Sequence, residues 1–505
     1  MAAYGRPGVY LSERLLPAPV PSAGTANAAG AVIGSFAQGP TDVTLVTSWY
    51  DFVKKFGGYN TLYPATFGVG LFFQNGGSEL YVQRILHTTD ADATKKAKAA
   101  TASIPASSGT VATATANNLG ADGNNIRLSF TASNKATVGG TAYFDLSVYR
   151  EYATGDDVLI EQYTNVIFND ATSTDYVLNV VNLNSSVITL SGVDVTKTPT
   201  LGTLIPLTTG QDGIAPTATE YTANLAAFSV VNRPLVIFAP EINAILGSAD
   251  GKTVQQGLQT WAAANSSFAV LDTPGSLLVA DAVTYATGLN KSSNSAVYYP
   301  NIYISDPVGR SSASLRKVGV SGAVAGLYIQ TDKAVGPFKA PAGVYATIRG
   351  AVALEKAFTN TELDTLNSAA TPLNALRNLP GAGIVSMGAR TLLQDGTANR
   401  YVNTRRSLIF IESSLTNLSR FALFENNDEK LWNRISTALG GFLNDYRNQG
   451  GLRGATPDQA YYVKVDAENN PDDAIARGEV HIEIGVALQY PAEFIVINLT
   501  QKTAN

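Results

Sequence analysis

The sequence ends in a short apolar segment, EFIVINL at residues 493–499, that limits how the chain can fold. Apolar side chains fall on both faces of an extended chain here, which is typical of a strand buried within a sheet. Terminal segments of domains are usually frayed and polar. A strand this apolar needs a sheet to join, so the first question is which sheet receives it.

Composition excludes several classes of protein. The 505 residues carry 35 basic and 40 acidic side chains, giving a net charge of −5, whereas nucleic-acid-binding proteins are usually basic. The chain has no cysteine, which excludes disulfides and thiolate chemistry. No apolar run reaches the length of a membrane span, and the start lacks the pattern of a secretory signal. We therefore expect a globular protein without direct nucleic-acid or membrane contacts.

The order of strand and helix patterns divides this long chain into several regions. We predict an α+β or α/β multidomain protein with a mixed α/β C-terminal core domain, extended N- and C-terminal arms and an inserted all-β domain. The predicted boundaries are 1–25 for the N-terminal arm, 26–91 and 214–344 for the two parts of an α/β middle domain, 92–213 for the inserted all-β domain, 345–492 for the C-terminal core domain and 493–505 for the C-terminal arm.

Two helices have clear signals. The segment SWYDFVKKFGG begins at Ser48 as N-cap and ends at Gly57 and Gly58. The second helix runs from Leu431 to Tyr446, with apolar residues at helical spacing and Asn426 or Asn427 as the predicted cap.

Other segments are predicted to be strands, boundaries or linkers. Dense apolar patterns predict strands at YVNTRRSLIFIESSL (401–415), VHIEIGVAL (480–488) and YVLNVVN (176–182). The Ala- and Thr-rich residues 91–116 are interpreted as a boundary segment, and the Gly-rich residues 318–343 as a linker.

No catalytic constellation has good spacing. His87 and His481 are isolated and are interpreted as structural or surface residues, so we expect no zinc site. No phosphate-binding loop occurs, and Ser321 lacks the second glycine of a nucleophile elbow. A glycosidase needs only two acids, which need not be adjacent in sequence, so an enzyme built on a carboxylate pair stays open.

A set of motifs occurs in one order along nearly the whole chain. They are RPGVYLSE, GSFAQGP, VTSWYDFVKKFGG, LFFQNGGSELYVQRI, AVYYP, SGAVAGLYIQTD, FKAPAG, NALRNLPGAGIVSMGARTL, YVNTRRSLIFIESSL, FALFENNDEKLWNRI, FLNDYRNQGGLRG, YYVKVD and GEVHIEIGVALQYPAEFI. In this order they resemble the tail sheath proteins of contractile phage tails and related contractile injection machines.

The resemblance implies that both arms leave their own subunit and add strands to a sheet in the C-terminal domain of neighbouring subunits. It thereby answers the question raised by the terminal strand. The arm strands would contain Val9, Tyr10, Leu11, Phe494, Ile495, Val496, Ile497 and Leu499. The receiving sheet would contain Arg405, Arg406, Leu408, Phe410, Ile482, Ile484 and Val486.

The resemblance also implies a mechanical role without catalysis or a cofactor. Subunits would form six-membered rings stacked helically around an inner tail tube, and shortening of this sheath would drive the tube through a target envelope. Baseplate and tail terminator proteins would be further partners, in a virion tail or injection particle assembled in the bacterial host cytoplasm. The tube-facing helix would present Asp428, Glu429, Lys430, Arg434, Asp445 and Arg447.

Two other functions stay open on the sequence alone. One is a polysaccharide-active enzyme with an inserted β domain, and the other is a different structural phage component of the tail or capsid. Within the sheath interpretation, a phage tail, a phage-tail-like bacteriocin and an extracellular injection system remain alternatives.

Overall fold

The computed structural model describes residues 28–493, apart from 138–140, 153–154, 310 and 312–313. The predicted arm strands at Val9–Leu11 and Phe494–Leu499 lie outside the described residues. The described chain divides into two compact units. The larger unit contains Ala28–Phe410 and the residues from Leu488 onward, and the smaller unit contains Ile411–Ala487.

The strands have the following bounds: β1 Ala29–Gly34, β2 Thr44–Val46, β3 Leu80–Arg84, β4 Thr101–Pro105, β5 Thr110–Ala116, β6 Ile126–Ala132, β7 Phe144–Glu151, β8 Asp157–Val166, β9 Ile188–Ser191, β10 Leu204–Pro206, β11 Leu235–Phe238, β12 Phe268–Asp272, β13 Ser295–Tyr299, β14 Ile302–Ser305, β15 Leu315–Val318, β16 Ala351–Leu354, β17 Asn374–Leu379, β18 Gly383–Ser386, β19 Tyr461–Lys464 and β20 Glu483–Val486.

The α-helices have the following bounds: α1 Trp49–Phe56, α2 Ala65–Gln74, α3 Val177–Asn184, α4 Ala218–Asn224, α5 Ile242–Leu246, α6 Ser248–Ala264, α7 Val279–Thr287, α8 Ser321–Ala334, α9 Asn360–Ser368, α10 Val402–Ser419, α11 Glu429–Asn448, α12 Pro457–Ala460 and α13 Asp472–Ala476. Short 3-10 turns lie at Ala121–Asn125, Leu225–Val230, Ala398–Arg400 and Arg420–Ala422.

An eight-stranded, mostly parallel sheet forms the core of the larger unit, in the order β18-β17-β13-β12-β11-β1-β3-β2. Strands β1, β11, β12 and β13 are buried along their whole length, as expected where helices cover both faces of a parallel sheet. Alternate residues of these strands belong to two separate hydrophobic clusters, one on each face. The α/β layer predicted from alternating strands and helices is therefore present.

The layer extends beyond the boundary predicted at residue 345. Strand β17 pairs in parallel with β13, through Tyr298 opposite Asn374 and Tyr299 opposite Ala375. The prediction placed this segment in a separate C-terminal domain, because sequence pattern does not reveal which sheet a late strand joins. The linker predicted at 318–343 is also wrong over α8, which is a buried helix.

Helix α8 packs closely against α2 through glycines. A Cβ atom on Gly322 would lie 2.1 Å from the carbonyl oxygen of Gly68, and one on Gly326 would lie 2.3 Å from that of Phe72. Both distances are far below van der Waals contact, so only glycine permits this approach of the two backbones. The glycines that suggested a linker are therefore packing residues of a helix.

The segment between β4 and β10 has a hydrophobic cluster of its own. It contains a four-stranded sheet, β10-β6-β7-β8, and a three-stranded sheet, β4-β5-β9. Two predictions within it are wrong: the Ala- and Thr-rich boundary segment contains β4 and β5, and the strand predicted at 176–182 is α3. Alanine and threonine suffice here because small side chains fit between two closely packed sheets.

Replacing Gly322 or Gly326 by alanine is expected to lower the free energy of unfolding of the larger unit by roughly 1–3 kcal/mol, because the added methyl group overpacks the contact with α2. Differential scanning calorimetry of the purified subunit measures this as a lower unfolding temperature.

The matched control is Gly440→Ala in the middle of α11, where an added Cβ meets no atom within 4 Å. Alanine there should stabilise the helix by roughly 0.5–1 kcal/mol. Equal responses at Gly322 and Gly440 would contradict the close packing of α8 on α2.

Candidate functional site

The first part of the predicted receiving sheet is a helix. Residues Arg405, Arg406, Leu408 and Phe410 lie in α10, so the strand predicted at 401–415 is wrong. Nearly every side chain from Tyr401 to Ile411 is buried or half-buried. A segment that is buried on all sides is compatible with a helix as well as a strand, and periodicity does not distinguish them.

Arg406 anchors α10 to α8 within the larger unit. Its guanidinium makes a bidentate ion pair with Asp332, with Nη1 2.9 Å from Oδ1 and Nη2 close to Oδ2. It also lies over the ring of Tyr328, 4.5 Å from the centroid. The planar guanidinium of arginine favours such bidentate pairing with a carboxylate, and both partners of this pair belong to the same subunit.

The second part of the predicted receiving sheet is a strand. Ile484 and Val486 lie in β20, which pairs antiparallel with β19, and Ile482 directly precedes it. In this pair the ring of Tyr462 covers Gly485 on the facing strand, where a Cβ would lie 2.1 Å from the ring. These are the two strands of this sheet among the described residues. Each therefore has one edge without a strand partner in the described part of the chain.

Helix α11 supports this two-stranded sheet. Leu431, Trp432, Ile435 and Leu439 form the centre of a hydrophobic cluster in the smaller unit. Val463 of β19 and Ile482 and Ile484 at β20 pack against this cluster, with further apolar residues around them. The apolar side of the predicted helix is therefore buried against the sheet, and its opposite side is polar.

The helix begins at Glu429, before the predicted start Leu431, and its cap is one residue after Asn427, the nearer of the two predicted caps. Asp428 is the N-cap, and its side chain accepts a hydrogen bond of 2.9 Å from the backbone N–H of Leu431. Asn427 instead accepts a hydrogen bond from the indole N–H of Trp432. An aspartate at this position also interacts favourably with the helix dipole.

The six charged residues predicted to face a tube have different environments. Glu429, Lys430, Arg434 and Asp445 are exposed, and Arg434 makes a loose ion pair of 3.4 Å with Glu425. Asp428 caps the helix, and Arg447 is half-buried and donates to the carbonyl of Ala455 at 2.9 Å. The four exposed charges remain available to a partner, whereas Asp428 and Arg447 also have structural roles.

The two histidines make local polar contacts. His87 is buried, with its ring nitrogens 2.9 Å from Glu220 and 3.2 Å from Asp90. The hydrogen bond to Glu220 is the main cause that raises the pKa of His87 above its usual range. His481 lies 3.0 Å from Glu479. Buried His87 and exposed His481 thus agree with the interpretation of the two as structural or surface residues.

Sequence patterns did not identify a pair of carboxylates in which Asp272 is buried and Glu241 is half-buried. Asp272 is the last residue of β12 and accepts hydrogen bonds from the N–H groups of Val320 and Ser321 at 2.8 and 2.7 Å and from the Ser321 hydroxyl. Glu241, shortly after β11, accepts one from the N–H of Gly319. The available signal was an acidic residue at the end of one buried strand, β12, and another three residues after the neighbouring strand β11.

Burial raises the pKa of Glu241 to about 8, and repulsion from Asp272 adds to the effect. Burial also raises the pKa of Asp272, to about 6, although its bonds to Ser321 and Val320 act in the opposite direction. Glycosidases use a carboxylate pair, but these hydrogen bonds make this pair a cap for the N-terminus of α8.

Two properties of the described residues bear on other functions. No helix in this part of the chain is both long and apolar enough to cross a membrane. Nor does any group of three or more histidine or acidic side chains, among the residues described, have an arrangement that could hold a metal ion.

Comparison with protein families identifies the C-terminal part of the chain. Residues 394–502 match the family model of the phage tail sheath C-terminal domain. The tail sheath protein of Vibrio phage KVP40 is 27% identical over 184 residues, a match that covers 36% of this chain and 26% of the phage protein. The matched segment thus spans about a quarter of that relative.

Comparison with solved structures identifies the fold. The helical sheath of the anti-feeding prophage in its contracted state matches with a TM-score of 0.59 and 20% identity, covering 99% of this chain and 100% of that one. The sheath tail protein of Listeria innocua matches with a TM-score of 0.63 and 12% identity, covering 92% and 95%. The chain has the mixed α/β fold of sheath proteins, and the predicted resemblance to contractile tail sheath proteins is confirmed.

Glu241→Gln is expected to weaken the dependence of stability on pH. The folded-state pKa of Glu241 is above its value in an unfolded chain, so the folded protein holds a proton that the unfolded chain releases. Stability should therefore fall as pH rises through the window between about 4.5 and 8. Glutamine cannot ionise but still offers an oxygen to Gly319, so the unfolding temperature should fall less across this window.

Thermal unfolding at pH 5.5, 7 and 8.5 measures this difference. The control is Glu468→Gln, since Glu468 is exposed and its ion pair with Lys464 lies in the smaller unit. An unchanged pH profile for Glu241→Gln would show that Glu241 does not hold the proton.

Proposed function

We propose that this protein is the structural subunit of a contractile tail sheath, which polymerises as stacked hexameric rings around an inner tube and shortens to drive that tube through a target envelope. The observation that carries the proposal is the match to a contracted sheath over 99% of this chain. The family model at residues 394–502 supports it from sequence. Energy would be stored as a less favourable set of contacts between subunits, which requires two alternative packings and no nucleotide.

Strand addition would connect the subunits. In this proposal the segments at 8–16 and 493–501, the latter taken from residue 494 because Glu493 pairs with Arg390 of its own chain, leave their subunit and pair with the edges of the β19–β20 sheet in neighbouring subunits. That sheet has an unpartnered edge on each strand among the described residues, and its face is fixed by packing on α11. Backbone hydrogen bonds at such joints contribute about 1 kcal/mol each, and they would persist while the subunits rotate.

The polar side of α11 would face the tube. Its exposed charges Lys430, Arg434 and Asp445 are positioned for weak, salt-sensitive contacts that a contracting sheath can release. Gly440 and Gly441 lie in the middle of this helix, where an added Cβ would meet no atom within 4 Å. Two glycines cost helix stability without serving packing inside the subunit, and close approach of a tube subunit would account for them.

Further partners would include the baseplate, where contraction begins, and a terminator at the other end of the tail. The particle would be a virion tail or an extracellular injection machine assembled in a bacterial cytoplasm.

The first test is negative-stain electron microscopy of the chain expressed alone and with its tube protein. Long hollow cylinders with six-fold ends are expected.

Deletion of residues 494–505 should leave a folded subunit, with an unchanged circular dichroism spectrum, that no longer forms cylinders, because the joint between subunits is lost. Full-length cylinders from the truncated chain would contradict the proposed joint. Discrete particles from the intact chain in the presence of the tube would contradict the sheath itself.

Charge reversal on α11 tests the tube contact. The double variant Lys430→Glu and Arg434→Glu should lower the affinity for tubes at least roughly tenfold, because the loss of two surface attractions of roughly 0.7 kcal/mol each amounts to about 1.4 kcal/mol. Co-sedimentation with preformed tubes at low and high salt measures this.

Arg477→Glu is the control for this experiment. Arg477 is about as exposed as Arg434, with 54% against 58% of the side chain accessible, but lies beyond α13. If both variants lose binding equally, general charge and not the face of α11 controls the interaction.

A further inference from the structure

The last described residues of the chain are attached firmly to the larger unit. The guanidinium of Arg390 makes a bidentate ion pair with Glu493, with Nε 2.7 Å from Oε1 and Nη2 2.7 Å from Oε2. The hydroxyl of Tyr401 donates to the same carboxylate at 3.4 Å. The side chains of Arg390 and Glu493 are only 15% and 24% exposed. Planar, partly shielded pairs of this type are stronger and more directional than ordinary surface ion pairs.

Contacts before Glu493 fix the same segment. The carbonyl of Gln489 accepts hydrogen bonds from Thr404 at 3.2 Å and from Asn403 at 3.4 Å, both near the start of α10. The ring of Tyr490 packs edge-on against Tyr401, with centroids 6.5 Å apart. We call residues 488–493, held in this way, the anchor segment.

Arg390 is itself fixed to the central sheet. Its backbone N–H donates to the Asn374 side chain at 2.8 Å, and the amide of Asn374 donates in turn to the carbonyl of Arg390 and to that of Val297 on β13. Asn374 is buried on β17. The remaining guanidinium group, Nη1, donates to the carbonyl of Asn367 at 2.8 Å. A continuous path of hydrogen bonds therefore runs from Glu493 through Arg390 and Asn374 to the eight-stranded sheet.

The course of the chain connects this path of hydrogen bonds to the C-terminal arm. The chain leaves the larger unit after Phe410, forms the smaller unit and returns to the larger unit at Leu488. Residues 494–505 thus continue from a point fixed to the larger unit, although the β19–β20 sheet belongs to the smaller one.

We infer that the anchor segment, held by the Arg390–Glu493 pair, is the fixed point from which the C-terminal arm departs and through which tension on that arm enters the central sheet. The anchor itself follows from the contacts above, and its role under load rests on the proposed sheath function. If the anchor segment were mobile, a neighbour that binds the arm could move without moving the subunit to which the arm belongs. A fixed one forces the subunit and its neighbour to move together.

The absence of cysteine from the sequence allows a clean test. A single Ala492→Cys substitution places a spin label on an exposed residue of the anchor segment. In this parent chain, Glu493→Gln and Arg390→Lys each remove the bidentate pair while keeping side-chain size. Paramagnetic resonance spectra of the free subunit should narrow in both variants, which reports faster motion of the label. The double variant Arg390→Glu with Glu493→Arg should restore the broader parent spectrum.

Glu79→Gln is the matched control. Glu79 also pairs with an arginine distant in sequence, Arg233, at 2.8 Å within the larger unit, and the two residues lie just before β3 and β11. Its substitution should leave the label spectrum unchanged.

The same variants test whether the anchor segment contributes to sheath assembly. Glu493→Gln and Arg390→Lys should raise the subunit concentration needed for sheath formation by about tenfold, the effect of losing one partly shielded charge pair, and the double variant should reverse this. Unchanged spectra in both single variants would overturn the anchor. Narrowed spectra with unchanged assembly would overturn its role in bearing load. If the parent chain does not assemble at all, the sheath proposal fails, while the spectra still decide the anchor.

Discussion

Helix α8 holds the larger unit together, because three different interactions meet on it. Its glycines allow contact with the backbone of α2, and its N-terminal N–H groups are capped by Asp272 and Glu241 from two strand ends. Near its C-terminus Asp332 pairs with Arg406 of α10. None of these contacts tolerates a small shift, since an unpaired buried charge or a backbone overlap is costly. The central sheet, the helix layer and the start of α10 therefore have one relative arrangement.

That rigidity suits a protein proposed to change the contacts between its copies and not its own fold. Interfaces between rigid bodies can switch between two arrangements, whereas closely packed interiors do not deform continuously. In the smaller unit, α11 and the β19–β20 sheet share one hydrophobic cluster. The proposed tube contact and the proposed site of strand addition thus lie on opposite sides of one small core. A displacement of the helix would therefore shift the sheet, and a displacement of the sheet would shift the helix, through the buried side chains of this cluster.

Much of the α/β layer could be predicted from sequence. Buried strands such as β11 and β12 are short apolar runs, and α1 and α11 have capping residues and apolar residues at helical spacing. The errors fall on segments whose pattern has two solutions. The run at 401–415 is apolar enough for a strand or a buried helix, and the glycines of α8 look like a linker until a partner helix explains them. The Ala- and Thr-rich β4 and β5 lack the large residues that usually indicate strands.

The sequence by itself indicated the resemblance to contractile tail sheath proteins, because the order of its motifs along the chain is specific and requires no knowledge of contacts. It also determined the polar and apolar sides of α11, because a helix of regular period translates spacing directly into faces. Only the tertiary structure decided which residues meet across long separations: Arg390 with Glu493, Arg406 with Asp332, and Glu241 with the start of α8. Such pairs depend on how strands order within a sheet and on where the chain returns after the smaller unit. Local spacing carries no information about either.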